Sequence, residues 1–388
     1  MVFVMVVLGG VTRLTRSGLS IVEWRPEGEA YPMTNEEWEV AFAKYKAFPE
    51  YQKVNTRMTI DEFKPIYFME WFHRMWGRAI GIAFSLPLVY FLLRKRIPPG
   101  FGNRLLILLG LGGTQGAVGW WMVKSGLEHE RFTKDYQIPR VSPYRLATHL
   151  GFAWTVYSLL LWNAWDILKG QVKHTFTNTQ IQAARSIRPY AYGASTLIGI
   201  TVASGAFVAG NDAGHAYNDW PLFAGKVIPE QIWDSTLGLR NFTENTATVQ
   251  FDHRNLAYLS IGAVGLIHMA GKRIGWKNIH PSIKTGAMGL GGLVLLQATL
   301  GITTLMMYVP VWLGASHQGG ALALWTGALY LAHSTYYVAK QNLLADVGST
   351  TTTVMNNLGK TNIKAAGIGL IGLYSFVNNE QQYKEYDE

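Results

Sequence analysis

Apolar residues gather in eight runs, at roughly 1–12, 72–93, 104–123, 145–166, 188–209, 254–271, 284–308 and 314–337, separated by polar connections. A membrane span needs about 20 residues, within about 17–25. The second to eighth runs therefore predict transmembrane helices. The first is short: 12 residues rise about 18 Å against a hydrocarbon core of about 30 Å. It reads as the second half of a helix that begins upstream of Met1, and no basic segment precedes it as in a signal peptide. In the connection 13–70, Thr34 with Glu37 and Thr59 with Glu62 have capping-box spacing, and Trp38, Phe42 and Tyr45 recur at i, i+4, i+7. Two short amphipathic helices on the membrane face are expected there. Residues 341–388 form a polar tail whose apolar patch, 363–376, is short for a span and is expected to be interfacial or packed.

Charge orients the runs. Arg94-Lys95-Arg96, then Lys169 with Lys173, Arg185 and Arg188, then Lys272-Arg273 with Lys277 and Lys284, fall in alternate connections. The positive-inside rule places these on the cytoplasmic or matrix side, and 13–70, 124–144, 210–252 and 309–313 on the other. Nucleic acid is not the partner that the net charge of +9 points to, because the basic residues sit in short loops between apolar runs. Only 15% of residues are charged, against about 25% in a soluble domain. The 14 Trp and 41 Gly suit interfacial belts and close helix packing. The absence of Cys excludes disulfides, thiolate metal sites, iron–sulfur clusters and Cys nucleophiles.

The runs divide into two sets of four that enter from the same side, a parallel repeat. Gly9-Gly10 with Thr15-Arg16-Ser17-Gly18 matches Ser204-Gly205 with Gly210-Asn211-Asp212-Ala213-Gly214. His73-Arg74 matches His253-Arg254, Gln115 with Gly119 matches Gln297 with Gly301, and Thr148-His149-Leu150-Gly151 matches Ser316-His317-Gln318-Gly319. The expected fold is all-α, with eight transmembrane helices in two side-by-side four-helix bundles. The halves span 1–168 and 186–338, followed by an inner-side polar tail, 339–388.

His73, His149, His253 and His317 lie near the outer ends of the even-numbered helices, two to each half. Two imidazoles facing across a bundle can take both axial positions of a haem iron. A metal site would need further carboxylate or thiolate ligands, and none accompanies each pair. A lone intramembrane His is as readily a buried ring bonded to a neighbouring helix, but four at symmetric positions argue for a function. Arg74, Arg78, Arg145 and Arg254 are close enough in sequence to pair with haem propionates, or else snorkel to headgroups. His129, His174, His215, His268, His280 and His333 lack repeat partners and are expected to be structural or solvated. Glu70 shares a helix face with His73, and burial there would favour acid–base use. Its counterpart Gln250 cannot exchange a proton. The plainer reading of Glu70 is a helix-end charge complementing the dipole.

Gly9-Gly10-Val11-Thr12-Arg13-Leu14-Thr15 with Ser17-Gly18-Leu19-Ser20, Glu70-Trp71-Phe72-His73-Arg74 with Gly77-Arg78, the stretch Gln115 to Leu127, Arg145-Leu146-Ala147-Thr148-His149 and Gln250-Phe251-Asp252-His253-Arg254 resemble haem A synthase. The likeness runs to about residue 340 and is greatest to the mitochondrial and alphaproteobacterial types. It implies a multi-pass enzyme of the mitochondrial inner membrane, its histidines toward the intermembrane space. That enzyme oxidises the C8 methyl of haem O to the formyl of haem A by two hydroxylations, for cytochrome c oxidase assembly. By the same resemblance, His253 and His317 ligate a resident haem b; Arg74 and Arg254, next to His73 and His253 in sequence, are the cofactor-binding arginines expected. His73 and His149 face the iron of the substrate haem, and Glu70 is the catalytic carboxylate. The implied partners are haem O, a ferredoxin-like electron donor, membrane lipid, haem O synthase or oxidase assembly factors, and a second copy of the chain. The outer-loop Cys pair of some bacterial relatives is absent, and Arg16 stands where an acidic or small residue is expected. Other classes are a bis-His di-haem electron carrier without catalysis, against which the Glu70/Gln250 difference speaks, and a transporter, whose ionisable residues would gather at the midplane.

Overall fold

The computed structural model describes residues 1–134, 137–170 and 175–358, with side chains through Lys340. It is all-helical among the described residues apart from one isolated bridge, Phe223 to Lys226. In chain order the helices are α1 (Val2–Leu14), α2 (Asn35–Lys46), α3 (Pro49–Lys53), α4 (Ile60–Leu93), α5 (Phe101–Leu127), α6 (Pro143–Gly170), α7 (Asn178–Gly210), α8 (Asn241–Glu244), α9 (Thr246–Ile274), α10 (Pro281–Met306) and α11 (Val311–Leu358). Six of the eight apolar runs lie wholly within a helix, while the first starts one residue before α1 and the seventh runs two residues past α10. Four of these helices, α4, α5, α7 and α10, are long and apolar enough to cross a membrane. The apolar patch 363–376 lies outside the described residues, and α11 carries the expected start of the tail on as helix through Leu358.

Both capping boxes form. Thr34 accepts from the Glu37 amide while Glu37 reaches back to Thr34, and Thr59 and Glu62 do the same, which satisfies otherwise orphaned amides. The second box opens α4 itself, so the separate second amphipathic helix expected there is instead the five-residue α3. The reason is continuity. Phe63 and Tyr67 pack in the aromatic core over α2, and the apolar pattern then runs unbroken into the span. Trp38, Phe42 and Tyr45, the predicted face of α2, are buried in that core with Ile21.

The polar connections gather on one face. His129 lies 3.2 Å from the Ala47 carbonyl, Arg13 pairs with Asp212 at 2.7 Å, and Tyr144 donates to Glu244 at 2.7 Å. The 307–310 turn joins them, since Asn218 donates to the Leu305 carbonyl at 2.8 Å. At the opposite end, Lys169 lies 3.2 Å from both His333 Nδ1 and Ser334 Oγ. Helices α7, α9, α10 and α11 pack on one another around an aliphatic core that includes Ile187, Ile198, Ile267, Ile283, Leu290 and Leu331. Helices α4 and α5 instead present Ile82, Leu86, Leu93 and Ile107 outward, as helices facing hydrocarbon do. A seam of Val6, Trp154, Tyr157 and Leu322 joins α1 and α6 to α11.

Candidate functional site

All four sequence-predicted histidines lie on the loop-rich side of their helices, and all four rest on a glycine. A Cβ added at Gly9 would sit 3.2 Å from Cε1 of His73, and one at Gly119 would sit 2.9 Å from Cε1 of His149. The same probe at Gly205 meets His253 at 3.1 Å, and at Gly301 it meets His317 at 2.9 Å. Each imidazole is thus seated close against a helix at a glycine, most tightly at Gly119 and Gly301. Gln115 and Gln297, one turn before Gly119 and Gly301, reach the adjacent rings. The Gln297 amide is 3.0 Å from His317 Nδ1 and 3.0 Å from the His317 carbonyl, and Gln115 is 3.4 Å from His149 Nε2. The sequence repeat contained the Gln115/Gly119 and Gln297/Gly301 contacts, but its match of Gly9-Gly10 with Ser204-Gly205 is one residue out of register, because the glycines that seat His73 and His253 are Gly9 and Gly205.

In the second half the two rings lie close together. The His253 and His317 centroids are 6.5 Å apart with planes at 86°. Two metal–imidazole bonds of about 2 Å, with the ring radii added, put the centroids of two axial ligands about 6 Å apart. The pair therefore fits a haem iron held between them. Among the described residues no group of three or more His, Cys, Asp or Glu could hold a metal ion. In the first half, Nδ1 of His73 and of His149 and Oε1 of Gln115 are buried without a protein partner. Buried polar atoms are nearly always paired, so these atoms point to a ligand that brings polar groups.

Glu70 is buried, and its carboxylate is fully engaged. Oε1 accepts from Arg74 at 2.7 Å, and Oε2 accepts from Ser20 Oγ and the Ile21 amide, each at 2.8 Å. Arg74 continues the tie, donating to the carbonyls of Glu23 and Ile21 at 2.7 Å each. Residues 20–23 form a strap, and Glu70 and Arg74 pin it to α4. The second half repeats the device with the polarity exchanged. Gln250 donates to the carbonyls of Ala213 and Tyr217, at 3.0 and 2.9 Å, and Arg254 donates to Asp219, Pro221 and Leu222. One strap presents an amide and a hydroxyl, which need an acceptor. The other presents carbonyls, which need a donor. That difference explains Glu against Gln at this position without proton chemistry.

The arginines expected beside propionates all bond to backbone carbonyls. Arg78 donates to Arg25 and Pro26, and Arg145 donates to Trp121 and lies over its ring at 4.6 Å. Sequence reasoning missed a second buried carboxylate beneath the strap, Glu50 of α3, which accepts from the Tyr45 hydroxyl at 3.0 Å. Burial pushes this carboxyl up to about 7; the Tyr45 bond opposes the shift, the charge of Glu70 adds to it, and Arg16 and Arg13 offset part. Its only sequence signal was Pro49-Glu50 at a helix start. His333, expected to be structural or solvated, is fully buried, and its Nε2 lies 2.8 Å from Asp166. Arg16 adopts a left-handed φ of 54° just past α1, a position that favours small residues.

A family model described as cytochrome oxidase assembly protein matches residues 1–329. Among similar proteins, Heme A synthase COX15 of Arabidopsis thaliana is 47% identical over 333 residues, covering 86% of this chain and 72% of its own. The protein of the same name in Homo sapiens is 45% identical over 336 residues, covering 86% of this chain and 80% of its own. A Heme A synthase-mitochondrial ferredoxin fusion protein of Schizosaccharomyces pombe is 42% identical over 361 residues, covering 86% of this chain and 58% of its own.

Proposed function

The chain belongs to the cytochrome oxidase assembly protein family, and from that premise we propose that it is an oxidoreductase of haem A biosynthesis, converting haem O to haem A. It acts in this reading as a multi-pass protein of the mitochondrial inner membrane, with eight spans in two parallel four-helix halves, 1–168 and 186–338. The loop-rich face with its histidines looks toward the intermembrane space. The observation that carries the reading is the seating of four histidines on four glycines, with one pair already at bis-imidazole spacing.

His253 and His317 would hold a resident haem b, a group that relays single electrons when bound. His73 and His149 would face the substrate haem O, whose C8 methyl becomes the formyl in two hydroxylations. Arg74 and Arg254 act beside the haem groups through the straps they fix. Glu70 is the proposed catalytic carboxylate, and the Ser20 hydroxyl at 2.8 Å is its exchangeable-proton neighbour. A ferredoxin-like donor is supported by the ferredoxin fusion in S. pombe. Haem O synthase, oxidase assembly factors and a second copy of the chain remain proposed contacts in the membrane.

The full engagement of Glu70 favours one second reading, a di-haem electron carrier that uses the same histidines without chemistry. Pigment extraction separates the two. Expressed in a cell that makes haem O but not haem A, the enzyme yields haem A on chromatography of extracted haems. An electron carrier yields haem b alone, and that result would overturn the proposal.

A further inference from the structure

The four glycine–histidine seats put the halves in register, Gly9 with Gly205 and Gly119 with Gly301. In that register the residue just before the first glycine of each half differs. Before Gly205 stands Ser204, whose Oγ lies 2.7 Å from His253 Nδ1 and also donates to the Thr201 carbonyl at 2.7 Å. Before Gly9 stands Leu8, and Nδ1 of His73 is buried without a partner. A serine hydroxyl has one proton. With that proton on Thr201, Oγ accepts from Nδ1–H. His253 is then fixed in the tautomer that leaves the Nε2 lone pair free, and its ring cannot rotate without breaking the bond.

We infer that Ser204 is a positioning residue that makes the second half a retaining haem site, and that Leu8 at the matching place leaves the first half an exchanging one. The inference rests on the reading of His253 and His317 as axial ligands. It explains how one duplicated scaffold can keep one haem and pass another through. A ligand imidazole whose far nitrogen is hydrogen-bonded is better oriented and more basic, and losing such a partner typically costs about 10–100-fold in affinity. A bonded Nδ1–H also favours ferric over ferrous iron, so its loss raises the midpoint potential.

The test compares purified Ser204→Ala, Ser204→Thr, Leu8→Ser and His253→Leu with the unaltered protein in detergent. Haem b per chain is followed by absorbance during incubation with apomyoglobin as haem acceptor, and the midpoint potential is read by redox titration. Ser204→Ala should lose haem b about 10–100-fold more readily and titrate at higher potential. Ser204→Thr, which keeps the hydroxyl, should restore both. Leu8→Ser should slow release of a second haem, raising haem per chain above the unaltered value. Unchanged retention and potential in Ser204→Ala would overturn the inference while leaving the ligand assignment intact. Retention of the low-spin spectrum by His253→Leu would instead overturn the ligand assignment itself. If Ser204→Ala does not accumulate, Leu8→Ser decides, and unchanged haem content in that variant counts against the inference.

Discussion

Glu70 and Gln250 are matched in place and size, and the sequence alone made their difference look like a proton-exchanging group set against an inert copy. The straps supply a second cause. Ser20 and Ile21 offer donors to Glu70, whereas Ala213 and Tyr217 offer acceptors to Gln250. The two causes separate by substitution. A positioned acid–base group contributes about 10²–10⁴-fold to a rate. If Glu70 is catalytic, Glu70→Gln abolishes most conversion of haem O while the second-half haem b stays. Near-normal haem A in membranes carrying that variant at equal protein level would leave Glu70 with the strap alone. Glu50 makes a separate prediction. Its folded pKa, raised to about 7 by burial, lies above the unfolded value of about 4.3. The folded state therefore favours the protonated acid. The associated stability is complete below about pH 4 and is lost as pH rises through about 7, a change on the order of 3 kcal/mol. Thermal unfolding in detergent should show a midpoint falling between about pH 5 and pH 8 in the unaltered protein. The Glu50→Gln variant should lack most of that fall, and an equal fall in both would refute the assignment.

Helices were legible from period and caps because those signals are local. Thr34 with Glu37 and Thr59 with Glu62 cap where their spacing said they would. What each helix does for its neighbour was not legible, because glycine carries no positive signal. Gly119 and Gly301 were visible as repeat matches, but their role appears only when the imidazoles are seen against them. A helix-interior Gly→Ala change ordinarily gains about 1 kcal/mol through propensity. Here the new Cβ would lie 2.9 Å from Cε1 of His317 in Gly301→Ala and of His149 in Gly119→Ala. These rings must shift while the helices become intrinsically better formed. Gly301→Ala should therefore weaken the low-spin haem b spectrum without loss of expressed protein. Gly119→Ala should leave that spectrum intact and lower the haem A to haem O ratio. Identical effects from the two variants would mean that the seats are general packing contacts.

At the scale of the whole molecule, the loop-rich face carries the straps, both capped segments and all four seated histidines, and the other end carries a polar tie among α5, α6 and α11. Asp166 of α6 meets His333 of α11 at 2.8 Å and Arg104 of α5 at 3.0 Å. The sequence left His333 unassigned because its partner lies 167 residues away and no repeat marks it. The alternation of basic connections was legible, since Lys and Arg counts need no tertiary information. On the proposed reading it predicts the tied end on the matrix side and the strapped face toward the intermembrane space. That orientation is testable with single cysteines, because the chain has none of its own. Leu239 is 81% exposed between α7 and α9, and Thr179 is exposed at the start of α7. In sealed mitoplasts an impermeant maleimide should label Leu239→Cys at once and Thr179→Cys only after the membrane is opened. The reverse order would turn the protein over and put the histidines on the matrix side, within direct reach of a matrix donor. Labelling of both from one side would break the alternation of spans, since α7 alone separates the two positions.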